Sequence, residues 1–121
     1  MLEITKVFTN YFSSSNQNYI LEGVHFLPSL VHELVKRKDC KIIVLIKKDS
    51  DKIYKGLKNN QGQWDWIADN IKDDQILSTA AKSLSEYGKY FEIESEKYCL
   101  KYINTEDNFL DKLEEALSYL K

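Results

Sequence analysis

The stretch Lys41-Ile42-Ile43-Val44-Leu45-Ile46-Lys47 predicts the fold class of this chain. Its five consecutive aliphatic residues do not alternate with polar ones. Such a run is typical of a strand that is covered on both faces in a parallel sheet. Shorter apolar runs predict two further strands, one at residues 19–22 and one at residues 99–103. We therefore expect a sheet of three parallel strands.

Helical periodicity fills the segments between these strands. An opening helix is predicted from apolar residues at helical spacing: Ile4, Val7, Phe8, Tyr11 and Phe12. Pro28 suits the first turn of a second helix, because the N–H that proline lacks has no partner there. The caps of the other predicted helices are Ser50, then Asp73 or Asp74, then Thr105 or Asp107. This alternation predicts one three-layer α/β domain over residues 1–121, with a parallel sheet flanked by helices.

Gly88 leaves two interpretations of the segment after Asp73. One continuous helix is favoured by an apolar stripe made of Leu77, Ala81, Leu84, Gly88, Phe91 and Tyr98. Alternatively, Gly88 ends the helix, and residues 90–94 form a strand in a hairpin with residues 99–103. We prefer the continuous helix, because a single interior glycine costs a helix only about 1 kcal/mol.

The composition argues against several classes of function. A net charge of −2 and a pI near 5.7 give no electrostatic support for binding nucleic acid or an anionic membrane. No apolar run approaches the roughly 18 residues of a membrane span, and the amino terminus lacks the layout of a signal peptide. Cys40 and Cys99 stand far apart without metal-like spacing. We expect reduced thiols, no metal site and a cytoplasmic location.

A carboxylate and a glycine follow the first predicted strand, at Glu22 and Gly23. An α/β sheet can deliver an acid in this way to the carboxyl edge of a strand, where ligands bind. The stretch Glu22-Gly23-Val24-His25-Phe26-Leu27-Pro28 resembles the Glu-Gly-Val-His-x-x-Pro stretch of small P-loop kinases of the 2-phosphoglycerate kinase kind.

This resemblance implies a kinase site. Glu22 would be the catalytic residue, orienting water on Mg²⁺ or holding the acceptor beside the transferred phosphoryl group. His25 would bind an anionic acceptor. Residues 50–73 resemble the segment in which these kinases begin their lid, and Lys52 and Lys55 would bind substrate phosphate there. The similarity covers nearly all of this chain but only the later part of the family domain.

Two features of the family are missing from the sequence. The Gly-rich phosphate loop of these kinases lies well upstream of the Glu-Gly-Val-His stretch, but the eighteen residues before Tyr19 contain no glycine. Related kinases usually place arginines in the lid to clamp phosphate oxygens, whereas the single arginine here, Arg37, lies on a different helix. We therefore expect a truncated or split P-loop kinase-like protein that has no phosphotransferase activity by itself.

The missing phosphate loop also bears on cofactors and partners. No cofactor is expected for the chain alone, and Mg-ATP would be used only if a complementary polypeptide supplies the phosphate loop. In the resembled kinases the strand that carries this loop separates the strand like residues 19–22 from the strand like residues 41–47. Without it, the exposed strand edges would recruit other strands. The chain would then close up its own strands, form a homo-oligomer or bind the missing half, and we favour the homo-oligomer.

Less specific interpretations stay open. Glu22 could merely cap local N–H groups and His25 could be a loop residue, because one Glu-Gly pair is a weak motif. Lysines on one helix are more often a solvated face than a phosphate site. The chain could be a non-catalytic binding module that uses Trp64 and Trp66, although a tryptophan packed inward is the simpler expectation. It could also be an α/β domain of unrelated function.

Overall fold

The computed structural model describes residues 2–60 and 66–121 as a mixed α/β structure that is mostly helical. Its elements in chain order are α1 (Leu2–Ser14), α2 (Pro28–Val31), a 3₁₀ turn (His32–Lys36), β1 (Ile43–Ile46), α3 (Ser50–Asn59), α4 (Trp66–Asn70), α5 (Asp74–Lys97), β2 (Lys101–Asn104) and α6 (Phe109–Leu120). Within the described residues, no helix combines the length and apolarity that crossing a bilayer requires.

Over the described residues the sheet has two strands rather than the three that the sequence predicts. β1 and β2 pair in parallel, with Ile43 opposite Lys101 and Ile46 opposite Asn104. The predicted strand at residues 19–22 is wrong, because these residues pair with no other described segment and form no strand. An apolar run becomes a strand only where a neighbouring strand pairs with its backbone groups. The sequence pattern does not show whether that neighbour exists.

The described residues form a core of two apolar clusters. The first joins the sheet to α2 and consists of the buried residues Val31, Val44, Ile46 and Leu100, with Phe91 of α5 packed against them. The second lies between α3 and α5 and consists of Ile53, Leu57, Leu77 and Ala81. Helices thus flank the sheet, since α5 contacts both strands and α6 contacts β2.

Gly88 lies inside α5, so the predicted continuous helix is confirmed and the alternative hairpin is wrong. The glycine is buried against the end of β1. A Cβ atom at this position would lie 2.8 Å from the carbonyl carbon of Lys47 and closer still to its oxygen. Only a residue without a side chain therefore allows α5 to approach the strand backbone this closely.

The helix caps agree with the sequence at one of three places. Asp73 caps α5 as predicted, accepting hydrogen bonds from Gln75 N at 2.8 Å and Ile76 N at 3.1 Å. Asp49, not Ser50, caps α3. Asn108, with φ of 51°, precedes α6 without a side-chain cap. Thr105 and Asp107 do not cap α6, because the Thr105 hydroxyl donates to Ile46 O and Asp107 pairs with Lys52.

The opening helix α1 is confirmed, but its apolar side faces outward. Val7 and Tyr11 are each 66% exposed, whereas Thr5 and Thr9 on the other side of the helix are buried. Asn10 and Ser13 accept hydrogen bonds from Arg37, which ties α1 to the segment before β1. In the part of the chain that the structure describes, the apolar stripe of α1 is therefore largely exposed, except at Phe12, which packs on Tyr19.

Candidate functional site

Several polar residues lie close together at the edge of the sheet where β1 and β2 end. Lys48 and Asp49 come shortly after β1, and Glu106 and Asp107 come shortly after β2. Because the strands are parallel and in register, both segments lie at the same edge of the sheet. Thr105 N donates to Ile46 O at 2.9 Å and continues the ladder to this edge. Ligands of open α/β sheets bind at this edge.

Glu106 joins the two strand ends. Its carboxylate oxygen Oε1 accepts a hydrogen bond from Lys48 N and another from Asp49 N at 2.7 Å. Glu106 N in turn donates to Asn104 Oδ1 at 2.9 Å. Burial tends to raise the pKa of Glu106, but hydrogen bonds from Lys48 N, Asn104 and Asp49 N outweigh it and lower the pKa. The carboxylate therefore stays ionised and holds the loop after β1 in place.

Lys48 connects the same loop to α5. Its ammonium Nζ lies 2.7 Å from Glu92 Oε1 and 2.8 Å from Glu92 Oε2. The hydrogen bond to Glu92 raises the pKa of Lys48 despite some desolvation. The hydroxyl of Ser85, a buried residue one helical turn before Gly88, donates to Lys48 O. The charge of Lys48 is thus already balanced by a carboxylate.

The two predicted substrate-binding lysines lie on α3 near this edge. Lys52 Nζ is 2.7 Å from both carboxylate oxygens of Asp107, and this hydrogen-bonded pair raises the pKa of Lys52. Lys55 is exposed and forms no ion pair with any residue between 2 and 60 or between 66 and 121. Hydrogen bonds from the backbone N–H groups of Lys52 and Asp51 lower the pKa of Asp49, and the charges of Lys52 and Lys55 lower it further. Lys55 is therefore the better placed of the two to contact an added anion.

An open groove of about 360 Å³ lies between the end of β2 and α6. Its polar lining includes Glu106, Asp107, Glu115 and Lys112. Lys112 is paired with Glu115 at 3.0 Å. Asp107 is likewise paired with Lys52, and Glu115 lies 3.7 Å from Lys101 Nζ. Among the described lining residues, no lysine is thus left unpaired for an anionic ligand.

The predicted catalytic residue and its neighbour lie away from this hydrogen-bonded cluster. Glu22 and His25 are both exposed, in the irregular segment between α1 and α2. Neither side chain forms a hydrogen bond or ion pair with another residue in the described ranges. Local order comes from the backbone, since Phe26 N donates to Gly23 O at 3.3 Å. The roles of Glu22 and His25 stay predictions.

The described residues form no metal site, and they do not include both tryptophans. Among the described residues, no three His, Cys, Asp or Glu side chains are grouped to hold a metal ion. Trp64 lies outside those residues, and Trp66 begins the short helix α4. A role for the tryptophans in binding stays a hypothesis.

The sequence contains a signal for this hydrogen-bonded cluster that the predicted catalytic residue, Glu22, does not reflect. Lys48-Asp49 and Thr105-Glu106-Asp107 each come shortly after a predicted strand. Parallel strands place their carboxyl ends at one edge, so these five residues could have been assigned to one site from the strand predictions alone. Glu92, in the middle of a long helix, had no such signal.

Comparison with known proteins adds no relative. The chain matches no family model, no curated protein and no solved structure.

Acidification should reveal how much Glu106 contributes to stability. Because its pKa is lowered on folding, its contribution is present above about pH 4.5 and is lost as the pH falls through the folded-state pKa. We expect Glu106→Gln to cost about 1–2 kcal/mol at pH 7, since a charged acceptor of two backbone N–H groups is replaced by a neutral one. Urea unfolding at pH 7 and pH 3.5 measures this. If Glu106→Gln lowered the free energy of unfolding by as much at pH 3.5 as at pH 7, the role given to the Glu106 charge would be contradicted.

Proposed function

We propose that this chain is the later part of a P-loop kinase-like fold, related to ATP-dependent phosphotransferases of small acids. The observation that carries the proposal is the free edge of β1. β1 pairs with β2 on one side only, and no described segment pairs with its other side. In the resembled kinases the strand with the phosphate loop lies at that position.

The arrangement of the other segments supports this assignment. The resembled kinases place the phosphate-loop strand between the counterparts of residues 19–22 and 41–47. No described strand pairs with residues 19–22 or with the free side of β1, as expected if a central strand is missing between them. A strand inserted there would complete a three-layer domain with α5 on one face. Helix α5 already contacts β1 and β2.

The residues of this chain do not by themselves fit Mg-ATP. Lys48 and Lys52 are each neutralised by a carboxylate, and Lys112 in the groove beside α6 is paired with Glu115. A phosphate cradle of successive backbone N–H groups would have to come from the missing loop. We therefore propose that the chain alone is inactive, and we assign it the acceptor side of the reaction through Glu22 and His25.

Two assays test the proposal. The purified chain with Mg-ATP and 2-phosphoglycerate should show no turnover. Added to a polypeptide that contains a strand, a Gly-x-x-x-x-Gly-Lys-Ser/Thr loop and a helix, it should gain turnover. Glu22→Gln should then lower the rate at least tenfold, about 1.4 kcal/mol, because the shape is kept while the charge is lost.

Glu114→Gln is the matched control. This exposed carboxylate on α6 makes no ion pair with the described residues, so its removal should leave the rate unchanged. Magnesium-dependent ATP turnover by the chain alone that Glu22→Gln abolishes would refute the proposed inactivity. An unchanged rate for Glu22→Gln in the reconstituted complex would remove Glu22 from the mechanism.

A non-catalytic interaction module is the second candidate, and the outward apolar side of α1 favours it. Val7 and Tyr11 are exposed on a helix of thirteen residues, which suits contact with another protein. Thermal unfolding with and without Mg-ATP separates the candidates once the phosphate-loop polypeptide is present. Stabilisation supports the kinase-like function, and no response supports the interaction module.

A further inference from the structure

The open edge of β1 has a defined set of backbone groups. Ile46 O accepts from Thr105 N, so the backbone of Ile46 points toward β2. Successive residues of a strand point their backbone groups to opposite sides. The N–H and C=O groups of Ile43 and Leu45 therefore point to the other side, where no described strand pairs with them. Leu45 is also 46% exposed, although its neighbours Val44 and Ile46 are buried.

The segment at residues 19–24 has the composition of a strand but no described strand beside it. It is rich in β-favouring residues, and Ile20 and Val24 are 79% and 76% exposed. Within the described residues, no backbone–backbone hydrogen bond involves residues 16–22. Such a segment can pair as a strand when a free strand edge is available to it.

The residues that flank β1 and the run at residues 19–22 carry charges of opposite sign. Lys41 and Lys47 flank β1, both are exposed, and neither forms an ion pair with another residue in the described ranges. Lys47 Nζ lies over the ring of Phe109, 5.3 Å from its centroid, whereas Lys41 has no such contact there. Glu22 stands at the end of the apolar run Tyr19-Ile20-Leu21. Placed along the open edge, this run would bring its single carboxylate to a lysine at one end of β1.

We propose that a second copy of this chain occupies the open edge of β1 with its residues 19–22. Within one chain, Phe12 stacks on Tyr19 at 4.1 Å between ring centroids, and Tyr19 OH donates to Gln17. These contacts hold the start of the segment beside α1 and leave the rest exposed for a neighbour. Each copy offers one edge and one segment, so two identical contacts close a dimer with twofold symmetry.

This dimer is proposed for the chain without a phosphate-loop polypeptide, whose strand would compete for the same edge of β1. The test therefore contains neither that polypeptide nor a nucleotide. Sedimentation velocity from 1 to 100 μM should show a dimer for the unmodified chain. Leu21→Pro removes an N–H from the middle of the segment and should weaken the dimer at least tenfold. Asn16→Pro lies in the same irregular segment but before the apolar run, so it should leave the dimer unchanged. The backbone of Leu21 makes no hydrogen bond with the described residues of its own chain, so the substitution should spare the fold.

Cross-linking identifies the contact and excludes pairing within one chain. Two variants are made in which serine replaces Cys40 and Cys99, one carrying Leu21→Cys and the other Leu45→Cys. A short bis-maleimide added to their mixture should yield a covalent heterodimer. A monomer across the whole concentration range would overturn the proposal. So would a dimer that Leu21→Pro leaves intact, or a mixture that gives no heterodimer.

Discussion

Gly88→Ala is expected to destabilise the protein by at least about 3 kcal/mol. The added Cβ would overlap the carbonyl group of Lys47, which belongs to the backbone and cannot turn aside as a side chain could. Either α5 or the end of β1 would have to move, which also disturbs the hydrogen bond from Ser85 to Lys48 O. Overpacking of a core costs 1–3 kcal/mol and occasionally more, and a backbone clash belongs at the upper end. Urea unfolding followed by far-UV circular dichroism measures the loss.

Gly56→Ala is the matched control for this prediction. Gly56 lies inside α3, and a Cβ there would have no atom within 4 Å. Alanine is the better helix former by about 1 kcal/mol, so this variant should be more stable than the unmodified chain. Opposite signs at the two glycines would show that contact, not helix propensity, decides the outcome. A Gly88→Ala protein as stable as the parent would contradict the close approach of α5 to β1.

Leu77→Ala is expected to cost about 2–5 kcal/mol. Leu77 is 0% exposed and packs with Ile53, Leu57 and Ala81 in the cluster between α3 and α5. Truncation removes buried methyl groups and leaves a cavity that helices on both sides cannot easily close. The midpoint of thermal unfolding should fall by several degrees.

Ile76→Ala serves as the control, one residue away on the same helix. Ile76 is 57% exposed, so its truncation removes little buried surface. The loss should stay below about 1 kcal/mol, partly offset by the higher helix propensity of alanine. Equal losses at the two positions would show that the second cluster is not a packed core.

Most of the regular elements are predictable from the sequence because their signals are local. The aliphatic run at 42–46 marked β1, and the apolar stripe through Gly88 marked α5. The apolar stripe does not show why position 88 requires glycine. The reason is a contact with Lys47, which is distant in sequence and close only in the folded chain.

The errors came from properties that depend on partners. Residues 19–22 have the composition of a strand, yet a strand needs a paired neighbour, and none of the described residues supplies one. The cap of α3 is Asp49 rather than Ser50, a shift of one residue that depends on backbone angles. At the candidate site, the edge of the sheet was predictable in principle. The pairing of Lys48 with Glu92 was not, because Glu92 lies within a helix whose facing side is set by packing.

The parallel pairing of β1 with β2 has a consequence for the order of folding. Residues 47–100 lie between the two strands, so the sheet closes a loop of nearly half the chain. Closing such a loop costs entropy before any ladder bond forms, whereas helices such as α5 form from local contacts. The sheet should therefore assemble late, after α3 and α5 have docked through Leu57 and Leu77. Until then the aliphatic run of β1 stays accessible, and this period of the folding reaction carries the greatest risk of aggregation.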